Sequence, residues 1–158
     1  MKRITSLFAL AVLIALTAFD CENGRDCCDL GPCSQMGSLS GTWRLDYFQN
    51  TATGAVDTDP EVSGKSVVFT FTDDTKEGTI TGHTFVNTVT GNYVLGQGCT
   101  FRIVSFGGSK VGEPEWSRKA WFPSDSTGGK GNYHVTSNKL ILKFDQNPEQ
   151  FVFRKEKE

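Results

Sequence analysis

The sequence has none of the common motifs of a catalytic or nucleotide-binding site. It contains no GxSxG nucleophile elbow. The GKS within "EVSGKSVVF" lacks the upstream glycine of a phosphate loop and precedes a strand pattern rather than a helix. The two histidines, His83 and His134, stand far apart on strand patterns without metal-ligand spacing, so we expect both to face solvent. These absences predict a protein that is not an enzyme and holds no metal or cofactor.

Clustered positive charge is also missing. The chain has 16 basic and 18 acidic residues, and the basic ones form no continuous run, which argues against a nucleic-acid partner. The neighbouring carboxylates Asp73 with Asp74, and Glu113 with Glu115, fall in predicted turns or at a helix start, where carboxylates cap or stay solvated. Long helical patterns and internal repeats are absent as well, which leaves short strands as the main structural signal.

The longest apolar run stands at the N-terminus. Lys2 and Arg3 precede "ITSLFALAVLIALTAF", and Asp20 closes the run. This run falls short of the roughly 20 apolar residues that a membrane-spanning helix needs. A short positive segment followed by such a run is typical of a secretory signal peptide. We therefore predict a signal peptide over residues 1–20 and export of the rest of the chain.

Four of the five cysteines lie within "DCENGRDCCDLGPC", residues 20–33. Their spacing fits neither a zinc site, which needs paired thiolates, nor a CxxC redox centre. Cys21 stands just after the apolar run, where a bacterial lipoprotein carries its lipidated cysteine, although Phe19 and Asp20 before it are not the small residues usual there. We predict attachment to the membrane through a lipid at Cys21. The expected location is the bacterial cell envelope, at the outer membrane or its periplasmic face.

The remaining cysteines, Cys27, Cys28, Cys33 and Cys99, are an even number in an oxidising compartment and are disulfide candidates. A bond between the adjacent Cys27 and Cys28 would be strained. Two pairings stay open: Cys27 with Cys33 and Cys28 with Cys99, or Cys27 with Cys99 and Cys28 with Cys33. In both, Cys99 fastens the Gly- and Pro-containing linker, residues 21–38, to the following domain.

From residue 39 to residue 158 the hydrophobic period is mostly two, which indicates half-buried strands. Clear alternation occurs in "GTWRLDYF", "KSVVFTFTDD", "CTFRIVSF", "KLILKFD" and "QFVFRK", and weaker alternation in "GTITGHTFVN", "TGNYVLG" and "GNYHVTS". In the first of these we expect Trp43, Leu45 and Tyr47 to share the inner face. Turn residues separate the strands at hairpin intervals. The prediction is an all-β domain with one short helix, as a small antiparallel β-barrel or rolled sheet.

The short helix is predicted in "GEPEWSRKAWFPSD", between Pro114 and Pro123. Trp116 and Ala120 would share one face of it, and such a helix often packs against an open barrel end. The chain is rich in aromatic residues, with 12 Phe, three Trp and three Tyr. They are expected to form the core, while a ligand cavity stays open as the alternative because small barrels can hold one small ligand.

The order of these segments, from "LSGTWRL" through "GTITGHTFVNTVTGNYVL" to "NYHVTSNKLILKF" and "FVFRKE", resembles the META/HslJ-like domain of bacterial envelope proteins. The resemblance implies a compact β-barrel, an envelope location and a role in stress tolerance or envelope function without established catalysis. The family's Cys-Asn motif and its T-x-M-A-C stretch have no counterpart here, so no binding residue is carried over. The "GTW" before a meander also resembles lipocalin-like domains.

Two functions follow as hypotheses. The first is a non-catalytic, lipid-anchored envelope module that acts through contact with another protein. The second is a lipocalin-like carrier of a small apolar ligand, which would bind inside the barrel.

Overall fold

A computed structural model describes residues 37–157 of the chain. Their strands are β1 (Gly41–Asn50), β2 (Val56–Thr58), β3 (Val68–Asp73), β4 (Glu77–His83), β5 (Thr88–Gly96), β6 (Thr100–Gly108), β7 (Lys130–Val135), β8 (Lys139–Phe144) and β9 (Glu149–Lys155). One short helix, α1 (Glu115–Arg118), and two 3₁₀ turns, Gln97–Cys99 and Asp125–Thr127, complete the regular structure of this region. The predicted signal peptide and nearly all of the predicted linker lie outside the described residues.

Eight of the strands close into an antiparallel barrel. Each strand from β3 to β8 pairs with the next one along the chain, and β1 pairs with both β3 and β9. The short strand β2 adds to the second half of β1 through the pairs Tyr47–Thr58 to Gln49–Val56. The predicted all-β fold with one short helix is therefore confirmed. The three weaker strand patterns form β4, β5 and β7.

The two ends of the barrel differ in what they carry. One, which we call the entry end, contains the start of β1, the β3–β4 and β7–β8 turns, the 3₁₀ turn at Cys99 and the end of β9. The other, the helix end, contains the end of β1, the β4–β5 turn and the segment between β6 and β7 that includes α1. The described chain therefore begins and ends at the same end of the barrel.

One predicted inward residue faces outward. Trp43 and Leu45 are buried in the core as expected, but Tyr47 is only half-buried, and Phe48 takes its place inside. The cause is a β-bulge: Leu45 pairs with Phe153 and Tyr47 with Val152, so that Asp46 is an extra residue on β1. A bulge reverses the facing of every side chain beyond it. The prediction of Tyr47 as a core residue is wrong for this reason.

The other alternating strands place their apolar residues as predicted. The barrel core contains inward-facing side chains from β3, β6, β8 and β9, among them Phe69, Phe71, Phe101, Ile103, Leu140, Leu142, Phe144, Phe151 and Phe153. Burial of a side chain of this size contributes about 1.5–3 kcal/mol to folding. The indole N–H of the buried Trp43 donates to the carbonyl oxygen of Leu39 at 2.9 Å, which fixes the chain where it enters β1.

Candidate functional site

The interior of the barrel contains a side chain that belongs to no strand, that of Phe122. Phe122 is only 5% exposed. Its ring centroid lies 4.9–6.4 Å from those of six other aromatic rings, supplied by four strands: Phe69, Phe71, Phe106, Phe144, Phe151 and Phe153. Such distances are typical of favourable aromatic pairs. Phe122 therefore lies where a small apolar ligand would be expected inside a barrel of this kind.

Phe122 is carried by the segment 109–129, which we call the strap. Pro114 precedes α1, and Trp116 on this helix covers the helix end of the barrel. The ring of Trp116 lies 5.4 Å from that of Phe48 and 5.5 Å from that of Phe85. Its indole N–H donates to the carbonyl oxygen of Asp57 at 3.2 Å. The helix is one turn long, shorter than the sequence suggested, and it packs on the barrel end as predicted.

A carboxylate holds the strap together. Glu113 Oε1 accepts hydrogen bonds from the indole N–H of Trp121 at 2.6 Å and from the amide of Asn87 at 3.0 Å. Its Oε2 accepts one from the hydroxyl of Ser117 at 2.8 Å. Burial would raise the pKa of Glu113, but hydrogen bonds from Trp121, Thr84, Ser117 and Asn87 outweigh it and hold the pKa below its usual value. The prediction of Glu113 as a capping or solvated residue is wrong.

Asn87 is the matching anchor on the barrel. It is 2% exposed and lies in the β4–β5 turn. Its Oδ1 accepts from the backbone N–H of Val111 at 2.7 Å and from the hydroxyl of Ser109 at 3.1 Å, and its Nδ2 donates to the carbonyl oxygen of Val111 at 2.9 Å. With the bond to Glu113, all four hydrogen-bonding positions of this amide are used. The strap is thus fastened to the barrel at defined atoms.

A second carboxylate, Asp73, fixes the entry end. Its Oδ2 accepts from the backbone N–H of Leu39 at 2.9 Å and from the hydroxyl of Tyr93 at 2.6 Å. Burial opposes ionisation of Asp73, yet its hydrogen bonds lower its pKa overall. Burial, and then the bond to Asp73, raise the pKa of the Tyr93 hydroxyl, which therefore stays protonated. This arrangement positions the start of β1.

Two open grooves lie on the outer wall of the barrel. The first, of about 360 Å³, is lined partly by Arg102 and Lys130, and Arg102 forms an ion pair with Asp125. The second, of about 690 Å³, is lined partly by Asp74 and Glu77. Neither groove is lined by a histidine or a cysteine. The second groove is also lined by Asp73 and Tyr93, whose hydroxyl donates to Asp73 Oδ2 at 2.6 Å.

Cys99 is the one predicted cysteine site within the described residues. It ends a 3₁₀ turn with a left-handed backbone (φ 61°), packs against the core and is disulfide-bonded. The other candidates, Cys21, Cys27, Cys28 and Cys33, lie outside this part of the chain, so lipidation at Cys21 and the choice of pairing stay predictions.

The two histidines are not brought together with other ligands. His83 is exposed at the end of β4, and its Nδ1 lies 3.0 Å from the carbonyl oxygen of Thr84. His134 is half-buried on β7. Between residues 37 and 157, no three histidine, cysteine, aspartate or glutamate residues lie close enough together to hold a metal ion. Within the same range, no helix has the length and apolar character needed to cross a bilayer.

The sequence interpretation missed Phe122, Glu113 and Asn87. Phe122 directly precedes the second proline of the bracketed segment, and it lies on no alternating strand. The sequence did offer one signal that Phe122 is inserted into the barrel: it is an isolated Phe between two prolines and next to Trp121. No comparable signal marks Asn87, because its partners lie 24 and 26 residues away in the chain.

The sequence matches no family model, and a search of curated proteins found no match. Similar folds occur among solved structures. The NMR structure of a protein from Burkholderia xenovorans aligns with a TM-score of 0.55 and 17% identity, over 80% of this chain and 88% of that one. The crystal structure of a DUF4847 family protein from Bacteroides vulgatus aligns with a TM-score of 0.52 and 18% identity, over 79% of this chain and 98% of that one. At these identities the likeness shows a shared barrel fold.

Proposed function

We propose that the chain is a non-catalytic, exported and lipid-anchored module of the bacterial cell envelope that acts by contacting another protein through its helix end. One observation carries this proposal. The barrel interior is occupied by the protein's own Phe122 and its ring partners, whereas large exposed apolar side chains collect at the helix end.

Three of the five large apolar residues that are exposed in the described region lie in β2 or in the loops of the helix end: Val56, Val86 and Val111. Val111 is the most exposed, at 58%. Val86 is the neighbour of Asn87, whose side chain holds the backbone of Val111, so these two valines belong to adjacent loops. Single exposed valines are ordinary, but a group of them at one end is typical of a protein-contact surface.

The location part of the proposal is supported by the sequence. The positive segment and apolar run before Cys21, and the resemblance to the META/HslJ-like domain, both favour an envelope lipoprotein. Metabolic labelling with a fatty acid tests the anchor. We expect label on the wild type and none on Cys21→Ser, and an unlabelled wild type would contradict the proposal.

The contact surface is tested by site-specific photo-crosslinking in the native envelope. A photoreactive residue replaces Val111 at the helix end or, as the control, the exposed Thr79 on the outer wall of β4. We expect one discrete adduct from position 111, which Val86→Asp abolishes, and none from position 79. Equal adducts from both positions would show that no defined surface exists.

The carrier function is the alternative that the barrel shape also allows. It requires Phe122 to leave the interior, because the ring occupies the space between four strands. A displacement assay with a fluorescent fatty acid separates the two functions. Saturable one-to-one binding by the wild type would favour the carrier, and absence of binding supports the contact module.

A further inference from the structure

The entry end of the barrel brings the start of the described chain next to the end of β9. The carbonyl oxygen of Thr42 accepts a hydrogen bond from the backbone N–H of Glu156 at 2.9 Å. The backbone N–H of Lys155 donates to Asn138 in the β7–β8 turn, also at 2.9 Å. Residue 37, where the described chain begins, is four residues before Gly41, and Gly41 opens β1 beside the side chain of Lys155.

Basic side chains gather at this place. An open groove of about 460 Å³ is lined by Asn138 and residues 154–157. Around it stand four exposed basic residues, which we call the basic rim: Lys139, Arg154, Lys155 and Lys157. Glu156 is the acidic residue among them. Among the described residues, the rim thus has four positive charges against the one negative charge of Glu156.

The positive charges of the rim are largely free to interact with an external anion, because carboxylates of the described chain neutralise few of them. Arg154 Nε lies 3.6 Å from Asp46 Oδ1, and both side chains are about half exposed, so solvent weakens the pair. Lys155 Nζ lies 4.9 Å from the ring centroid of Trp43. Lys139 and Lys157 form no ion pair with any carboxylate of the described chain.

Apart from Glu156, the acidic residues that the structure describes at the entry end lie elsewhere. Asp73, Asp74 and Glu77 belong to the β3–β4 turn, where Lys76 is the only base, and strand β1 separates this turn from β9. The entry end is therefore divided into an acidic side and a basic side. The basic side is the one that complements an anionic surface.

We propose that the basic rim binds the headgroups of anionic phospholipids, so that the barrel rests on the membrane by its entry end and presents its helix end outward. This proposal rests on the lipid anchor of the proposed function. Basic residues near an anionic bilayer each strengthen binding about fivefold. Four of them give weak binding on their own, and the tether raises it by holding the rim close to the surface.

The test uses the exported Cys21→Ser protein, which has no acyl chain, so that binding does not depend on the lipid anchor. Its co-sedimentation is measured with vesicles of phosphatidylglycerol and phosphatidylcholine, and with vesicles of phosphatidylcholine only. Lys139→Gln with Lys157→Gln removes two rim charges. Lys110→Gln with Arg118→Gln removes the same charge at the helix end and is the matched control. Thermal unfolding of each variant checks that it is folded.

We expect binding to the anionic vesicles, about 25-fold weaker for the rim variant and unchanged for the control. Absence of binding, equal binding to the zwitterionic vesicles, or an equal loss in the control would each overturn the proposal. These outcomes are independent of fatty-acid labelling at Cys21, which tests the anchor in the wild type. A negative result for lipid binding by the rim can therefore be distinguished from a negative result for the lipid anchor at Cys21.

Discussion

Replacement of Phe122 by alanine removes the ring from the barrel interior without changing a strand. The ring has six aromatic neighbours within 6.4 Å and is 5% exposed. The neighbours are fixed in four strands of a closed barrel, so they cannot easily move inward to fill the space. We expect Phe122→Ala to leave an apolar cavity and to lower the free energy of unfolding strongly.

The size of the effect depends on how far the walls relax. A buried Phe→Ala change costs about 3–5 kcal/mol, and the cost rises by about 24 cal/mol for each Å³ of cavity that remains. Because a closed barrel resists collapse, we expect a value in the upper half of this range. Such a loss is a large share of the roughly 5–15 kcal/mol by which domains are stable.

The assay is denaturant unfolding of the wild type, of Phe122→Ala, and of Val104→Ala, an exposed valine on β6 that serves as the control. A second measurement adds benzene, which binds dry apolar cavities of about 150 Å³ in proteins. We expect benzene to raise the stability of Phe122→Ala and to leave the wild type unchanged. A loss below about 1.5 kcal/mol, or equal benzene binding by the wild type, would refute the assignment of Phe122 as the residue that fills the barrel.

Three further predictions concern the other fixed points of the fold. Glu113→Gln should lower the free energy of unfolding by about 1.5–3 kcal/mol, because it weakens charge-assisted bonds to the strap, and should change the fluorescence of Trp121; unchanged unfolding would contradict the anchor. Folding lowers the pKa of Glu113 below 4.5 and that of Asp73 below 3.8. The stabilisation from both carboxylates should therefore be complete above these pH values and be lost as the pH falls through the lowered pKa values of the folded protein. A Glu113→Gln variant whose free energy of unfolding varies with pH as in the wild type would contradict this expectation. Cys99→Ser should cost about 2–4 kcal/mol under oxidising conditions and nothing after reduction, and a reactive Cys99 thiol in the unreduced protein would exclude the disulfide.

The alternating strands were predictable because one face of each is buried. Leu140, Leu142 and Phe144 on β8 all point inward, as a period of two requires. Tyr47 was not predictable, because the extra residue at Asp46 is a matter of pairing with β9, and nothing in the local pattern of β1 shows it. The period of the hydrophobic residues therefore identifies a strand, but it does not determine the register in which that strand pairs with its neighbour.

The strap was only partly predictable for a related reason. Pro114 marked the start of α1, but the helix ends at Arg118, five residues before Pro123. Trp116 and Ala120 are buried, as the helix prediction required. The insertion of Phe122 and the bonds of Glu113 to Asn87 depend on contacts between distant segments, which composition and spacing do not report. From the sequence alone, a buried polar residue such as Asn87 cannot be distinguished from an ordinary exposed turn residue.

The pairing of the first barrel strand with the last has a consequence for the order in which the molecule folds. Gln49 and Gln150, joined by a 2.8 Å hydrogen bond between their side chains, are 101 residues apart in the chain. Contacts of this span slow folding, because the intervening chain must be ordered before they form. The barrel cannot close until β9 is available to pair with β1. A chain that crosses a membrane N-terminus first would therefore stay unfolded, and able to pass through a narrow channel, until its last strand had crossed.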